Sequence, residues 1–238
     1  MRTARRLFQD YGEGDEPMPM RSYALAARVG AALEDLEVLL PAAADLRLSL
    51  RASGVSFGEV RSLVAGTKHW RSIFSSGPDS FSSRDGRLEM SSVRPHARIN
   101  TSLQVAEEYE LRATLERRGE LYRSTCHGLV IAATAEGEWL VFGLLKGGKA
   151  GLRRLSPTSG DGVTTNNLQN FYLEPRPEDD ESLEVRVRVL ADGRIEARVG
   201  TCEPVEARIP EDFPRPKYVG IYSKDGTTRL VDPVLENY

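Results

Sequence analysis

The sequence contains few of the residues that build metal centres and disulfide scaffolds. Among its 238 residues there are only two cysteines, Cys126 and Cys202, and three histidines. Two thiols cannot supply a four-thiolate metal site or a disulfide framework. The histidines show none of the close spacings typical of zinc enzymes. We therefore expect no metal and no other cofactor, and we expect both thiols to be small buried side chains.

The chain also lacks a strong excess of charge and a long apolar run. Its formal net charge of −3 at pH 7 gives no general electrostatic reason to bind DNA or an anionic membrane. No stretch is long enough to span a bilayer. Arg5 and Arg6 resemble a twin-arginine export signal, but acidic residues follow where an apolar stretch is needed. We expect a cytoplasmic protein, unless the chain is part of a longer exported one.

The first third of the chain is predicted to be distinct from the rest. Residues 1–20 are charged, acidic and interrupted by prolines, as in a flexible arm. From Arg21 to Leu40 apolar residues recur at helical spacing. We expect a second helix from about Ala43 to Ala52 and a third from Phe57 to about Ile73. Residues 21–74 are therefore predicted to form a small helical segment.

From residue 75 to residue 238 the pattern is that of β-strands. Within Leu183–Val199, apolar residues alternate with charged ones on both sides of Gly193. The apolar residues before and after Gly193 all have odd numbers, so directly opposed residues in the hairpin must have numbers with an even sum. A two-residue loop would give an odd sum. The hairpin therefore needs a three-residue loop, with Gly193 in the left-handed conformation. Val189 then lies opposite Ile195. Similar runs bring the total to about ten to twelve strands, as in a large β-sandwich.

Six strand patterns follow one another in a recognisable order. They are Asp85–Leu88, Tyr109–Leu115, Gly128–Gly143, Leu183–Val199, Val219–Tyr222 and Arg229–Leu235. This order, over about residues 68–238, resembles the concanavalin A-like lectin and glucanase superfamily. The resemblance implies an antiparallel jelly-roll β-sandwich for residues 75–238, and a fold that often binds carbohydrate on the concave face of one sheet or at its rim.

The catalytic strand pattern of the glucanase branch, E-x-D-x-x-E, is absent from the sequence. No catalytic residue is assigned, and the preferred function is a non-catalytic module that binds a carbohydrate, a glycoconjugate or a partner protein. The best candidate site combines amides, which hydrogen-bond hydroxyl groups, with aromatic rings, which stack on sugar rings. Its residues are Asn166, Asn167, Gln169, Asn170, Phe171 and Tyr172.

Two alternative functions stay open. A glycoside hydrolase of the same fold would need two carboxyl groups about 5 to 10 Å apart across a cleft, drawn from scattered residues such as Glu138, Asp161 or Glu174. A helix-turn-helix regulator is suggested by Leu50–Val64, with Phe57 opening the recognition helix. The small number of basic residues nearby disfavours DNA binding.

Two short motifs resemble enzyme signatures without their context. Gly143–Ala150 nearly matches a phosphate-binding loop, but Ala150 offers no hydroxyl to magnesium and no helix is predicted to follow. Gly54–Gly58 matches the G-x-S-x-G nucleophile elbow, but the strand-helix repeat of such hydrolases is missing. The basic residues within and just after Gly143–Ala150 suit either a solvated hairpin tip or a contact with an acidic sugar or partner. They are Lys146, Lys149, Arg153 and Arg154.

Overall fold

The computed structural model describes residues 59–64, 67–72, 78–118, 125–134, 137–158, 162–179 and 181–238. The predicted arm at residues 1–20 and the two helices predicted between Arg21 and Ala52 lie outside these ranges. The described part consists almost entirely of antiparallel strands, with one short 3-10 helix at Thr67–His69. Among its residues, no helix is both long and apolar enough to cross a membrane.

Fifteen strands are described. They are β1 (Glu59–Ser62), β2 (Trp70–Ser72), β3 (Ser80–Arg84), β4 (Arg87–Ser92), β5 (His96–Asn100), β6 (Tyr109–Arg118), β7 (Cys126–Ala133), β8 (Trp139–Leu145), β9 (Lys149–Pro157), β10 (Val163–Tyr172), β11 (Leu183–Val189), β12 (Arg194–Val199), β13 (Val205–Arg208), β14 (Tyr218–Lys224) and β15 (Gly226–Asn237).

The strands form two sheets. Sheet I has eight strands in the order β13-β12-β11-β6-β15-β4-β3, with β1 paired to β15. Sheet II has seven strands in the order β10-β9-β8-β7-β14-β5-β2. Strands distant in sequence are neighbours in both sheets, because the chain crosses repeatedly from one sheet to the other. This arrangement confirms the predicted antiparallel jelly-roll β-sandwich.

The core lies between the two sheets and follows from the period of two along each strand. Val185 and Val187 of sheet I belong to the same buried cluster as Leu140 and Phe142 of sheet II. Each such side chain contributes about 1.5 to 3 kcal/mol when it is fully buried. Tyr109 adds a polar link, since its hydroxyl donates a hydrogen bond of 2.7 Å to the Ile131 carbonyl across the core.

The hairpin that parity predicted is present. Val189 lies opposite Ile195, and Arg188 lies opposite Glu196 on the solvent side. Gly193 has a φ of 80°, which lies in the left-handed region that a side chain disfavours. The register therefore places every apolar residue of both strands in the core.

The third predicted helix, from Phe57 to about Ile73, is wrong where the structure describes it. Glu59–Ser62 forms β1 and pairs with the end of β15, while Trp70–Ser72 forms β2 and pairs with β5. Burial decides the conformation here, because Leu63 and Trp70 belong to the core and the Asn100 amide donates to the Leu63 carbonyl. Pairing with distant strands overrides local helix propensity. Both sheets thus include residues ahead of position 75, and β1 replaces part of the proposed recognition helix.

Candidate functional site

Sheet II is apolar on both sides. One side faces the core, and the other, which we call the outer face, carries a second buried cluster. That cluster consists of Ala97, Ile99, Cys126, Val130, Ala133, Trp139, Val141, Leu145, Leu155 and Tyr222. An antiparallel sheet with one solvated side would alternate apolar and polar residues. The burial of both sides explains why β7 and β8 are continuously apolar in the sequence and lie centrally in the sheet.

Glycines shape the middle of the outer face. Gly128, Gly143 and Gly151 lie side by side on β7, β8 and β9, between Tyr222 and Asn170. A Cβ atom at Gly128 would overlap backbone atoms of β8, and one at Gly143 would overlap the Cys126 sulfur. The glycines therefore allow close strand approach and leave room for larger neighbouring side chains.

Arg153 is the charged residue buried in this face. It lies on β9 beside Val141, and its residue exposure is 9%. Its Nε is buried and has no hydrogen-bond partner. Burial raises the pKa of the Cys126 thiol to about 11, against the opposing charges of Arg153 and Lys224. Since Arg153 also acts on Tyr222, its guanidinium group extends from β9 toward the centre of the outer face.

Two more polar atoms in the outer face are buried. They are the indole Nε1 of Trp139, which has no hydrogen-bond partner, and the hydroxyl oxygen of Tyr222, which interacts with the Arg153 side chain. Burial raises the pKa of the Tyr222 hydroxyl, which stays protonated and remains a donor. Buried polar atoms without partners cost free energy, and each one in a native protein calls for a reason. Trp139, Tyr222 and Arg153 thus give the outer face a small group of buried hydrogen-bond donors.

The edge strand β10 carries the predicted site residues. Asn167, Asn170 and Tyr172 lie on the outer face, where they are exposed and pair with Arg153, Gly151 and Lys149. We call these three cross-strand pairs the edge ladder. Tyr172 is 73% exposed, and the Lys149 ammonium lies 4.7 Å from the centroid of its ring. The structure thus brings half of the predicted cluster together.

The other three predicted residues lie on the side of sheet I. Phe171 belongs to the core, with its ring centroid 6.3 Å from that of Phe142. The Gln169 amide donates to the Glu206 carbonyl at 3.4 Å, and Asn166 lies opposite Arg154. A bulge at Leu168, between Asn167 and Gln169, shifts the register. Because a bulge reverses the alternation that follows it, the six residues are divided between two sides.

Sequence reasoning did not combine Arg153, Trp139 and Tyr222 into one site. It placed Arg153 among four basic residues that suit either a solvated hairpin tip or a contact with an acidic sugar or partner. The structure separates the basic residues, since Arg154 is paired with Glu138 at 2.7 Å and with Asp212 at 2.6 Å. The available signal was an arginine inside the largely buried strand Lys149–Pro157.

Carboxylates are scarce on this face. The outward strand positions of sheet II, within the residues that the structure describes, include no Asp or Glu. The Glu138 carboxylate accepts hydrogen bonds from Arg154 and Ser156, Glu174 precedes β11 in a loop, and Asp161 lies outside the described residues. The same part of the chain contains no cluster of three or more His, Cys, Asp or Glu suited to a metal ion.

Comparison with known proteins gives structural matches only. No family model and no curated protein matches the sequence. The carbohydrate-binding module CBM66 from Bacillus subtilis matches with a TM-score of 0.54 and 9% identity, over 71% of this chain and 96% of that one.

Two further solved structures show weaker matches. The exoplasmic/lumenal domain of VIP36, bound to Ca²⁺ and Man3GlcNAc, gives a TM-score of 0.48 at 10% identity, over 75% of this chain and 89% of that one. A β-1,3-1,4-glucanase (lichenase) from a mouse hindgut metagenome gives 0.47 at 11% identity, over 76% of this chain and 98% of that one. At such identities a match shows the fold alone: the chain has the concanavalin A-like jelly-roll β-sandwich fold.

Proposed function

We propose that the chain is a non-catalytic module that binds carbohydrate along the edge ladder of sheet II. The observation that carries the proposal is the exposed ring of Tyr172 in line with the amides of Asn170 and Asn167. An aromatic ring stacks on the apolar face of a sugar, while an amide both donates to and accepts from hydroxyl groups. One ligand that lies along the strand edge would contact all three.

The dimensions of the ladder suit an extended ligand. Its three pairs are two residues apart along β9, so they span about 13 Å at roughly 3.3 Å per residue. Gly151 in the middle pair has no side chain, and a Cβ there would lie 3.2 Å from the Asn170 amide oxygen. The centre of the ladder is therefore low, with Tyr172 and Lys149 at one end and Asn167 and Arg153 at the other.

The fold supports this proposal as an analogy. The structure matched with a TM-score of 0.54 is a carbohydrate-binding module, and one fold serves many functions. The non-catalytic part of the proposal rests on the outer face itself. Glycoside hydrolysis uses a pair of carboxyl groups, and the outward positions described in sheet II provide amides, aromatic rings and basic groups instead.

A glycan-array screen of the full chain tests the proposal. We expect selective binding, and we expect Tyr172→Ala to weaken it about tenfold or more, because loss of an exposed stacking ring removes on the order of 1.4 kcal/mol. Asn170→Ala should weaken it as well. Val93→Ala is the matched control, since Val93 is also an exposed apolar residue but lies outside the ladder, after β4.

Two results would contradict the proposal. One is an array without binding from a chain whose circular dichroism shows a folded β-protein. The other is binding that Tyr172→Ala and Asn170→Ala leave at the level of Val93→Ala.

A further inference from the structure

The charge on the outer face of sheet II has one sign. Its outward strand positions, among the residues that the structure describes, include four basic residues and no acidic ones. The four are Arg71, Lys149, Arg153 and Lys224. Lys224 lies 4.0 Å from Asp225, which follows β14, and Lys149 packs on the Tyr172 ring. An apolar surface with basic groups and few acids favours the approach of an anion.

Arg153 differs from the other well-buried arginines in its surroundings. Arg112 is paired with Glu236 at 2.8 Å, and Arg117 is within 3.8 Å of Asp179 and donates to two carbonyls. The Nε of all three arginines is buried without a hydrogen-bond partner, so the difference lies in the acids. No carboxylate among the described residues is paired with Arg153, whose side chain interacts with the neutral Tyr222 hydroxyl instead. A buried charge without a partner is costly. Such a residue is retained at a cost to stability, which favours a role in binding.

The other buried polar groups nearby are also donors. Trp139 offers an N–H group without a partner, and Tyr222 offers the O–H group of the hydroxyl that interacts with Arg153. An ionised carboxylate or sulfate only accepts hydrogen bonds, so it complements a set of donors better than a neutral hydroxyl does. The guanidinium group adds a planar fork that matches such an anion in two hydrogen bonds.

Access to Arg153 is available from the strand edge. Its cross-strand neighbour Asn167 is exposed on β10, as is Asn170 one pair along the ladder. Directly opposed residues have Cβ atoms about 5 Å apart. Because the guanidinium group extends inward toward Tyr222, an anionic substituent reaches it only if it extends from the ladder across β9.

We propose that the glycan bound along the edge ladder is anionic, and that Arg153 binds its carboxylate or sulfate group from the outer face. This assignment rests on the proposed function and specifies its ligand class. Tyr172 and the two amides contact the neutral part of the sugar. Arg153, with Trp139 and Tyr222 beside it on the outer face, selects for the charge.

The first experiment compares ligands that differ in charge alone. We titrate the full chain with oligogalacturonate and with its methyl ester, and we screen neutral, uronate-bearing and sulfated glycans on one array. We expect binding of the acid to exceed binding of the ester about tenfold to hundredfold, as a charge-assisted hydrogen bond provides. Selective binding of either uronate or sulfated glycans supports the assignment and identifies the anion.

The second experiment changes the arginine. Arg153→Gln should remove most of the preference for the acid while changing neutral binding less than twofold. Arg186→Gln, on the outward side of sheet I, is the control. It should leave the affinities for the acid and for the ester unchanged. If Arg153→Gln does not fold, the affinity of the wild-type chain for the acid is measured at increasing salt concentration. Binding through a charge weakens with added salt, though less where the pair is buried.

The outcomes separate the two proposals. Equal affinity for acid and ester, or an Arg153→Gln variant that keeps the preference, overturns the anionic assignment and leaves carbohydrate binding in place. An array on which neither neutral nor anionic glycans bind overturns carbohydrate binding itself.

Discussion

The outward sides of the two sheets differ in how their charged side chains are paired. On sheet I, Arg229 of β15 lies between Glu89 and Glu116 on the neighbouring strands, at 2.7 and 3.2 Å. Arg112 contacts Glu110 on its own strand and Glu236 on β15. On the outer face of sheet II, Arg153 has an apolar strand beside it and no acid across from it. The outward side of sheet I thus carries charges of both signs, whereas the described outward positions of sheet II carry positive charge alone.

This difference concerns how each sheet compensates its charges. The ion pairs of Arg112 on sheet I are largely buried, since the side chains of Glu110 and Glu236 are 11% and 3% exposed, so removing one partner leaves an uncompensated buried charge. The outer face of sheet II combines a second apolar cluster with unused donors. The members of that cluster are at most 9% exposed, so on sheet II the exposed edge ladder is where the proposed ligand first makes contact.

The largest loss of stability is expected when one carbon atom is added to the outer face of sheet II. In Gly128→Ala the new Cβ would overlap the Phe142 carbonyl oxygen and the Gly143 Cα, both backbone atoms. A side-chain rotation cannot relieve this overlap, so β7 and β8 must separate. We expect a loss of about 3 kcal/mol or more in the free energy of unfolding, measured by urea denaturation. Arg198→Ala, at an exposed outward position of sheet I, should cost less than about 0.5 kcal/mol; equal losses would refute the contrast.

A second effect comes from the end of β7, inside the sandwich. Burial, and then the charge of Arg117, lowers the pKa of His127 from 6.5 to about 4. The folded chain therefore resists a proton that the unfolded chain binds. The stability contribution is complete above pH 6.5 and declines as the pH falls toward 4, by on the order of 3 kcal/mol. His127→Gln should reduce this decline when urea midpoints are compared at pH 7 and pH 4.5.

His96 also contributes to the loss of stability at acidic pH. Burial, assisted by Arg98, also lowers its pKa to about 4. Part of the acid sensitivity should therefore persist in His127→Gln. An unchanged decline in the variant would show that His127 is protonated as easily in the folded chain as in the unfolded one.

The smallest expected change in stability compares the buried Arg153 of sheet II with the paired Arg186 of sheet I. Arg153→Met replaces a buried, unpaired charge by an apolar side chain, and we expect the chain to gain about 1 to 2 kcal/mol in stability. Arg186→Met on sheet I breaks a pair with Glu184 whose acid is half exposed, and should change stability by less than about 0.5 kcal/mol. Thermal denaturation distinguishes the two. A loss of stability in Arg153→Met would show that the arginine is structural.

The sequence was informative where alternation is regular and partners are near. The Leu183–Val199 hairpin could be predicted down to its register, because parity leaves one loop length and glycine marks the turn. The continuous apolar character of β7 and β8 in the sequence fits their place inside sheet II, away from its edges. The free, buried state of Cys126 and Cys202 was also predicted correctly.

Features that depend on distant pairing were out of reach. Glu59–Ser62 reads locally as helix, and it becomes a strand because the end of β15 offers a partner. The bulge at Leu168 carries no glycine or proline to mark it, so the division of the predicted site between two sides could not be seen. Arg153 was visible in the sequence, but the absence of an acid beside it depends on β8 and β10, which lie next to β9 only in the folded sheet.

The position of β15 has a consequence for how the chain acquires its structure. This strand lies in the middle of sheet I, where Thr228 pairs with Met90 on one side and with Arg117 on the other. Strands β4 and β6 therefore have no common partner until residues more than a hundred positions later arrive. Chains dominated by such distant contacts fold in about milliseconds to seconds, and their unpaired strand edges are open to association while they wait. During synthesis, the facing edges of β4 and β6 thus stay unpaired until β15 emerges.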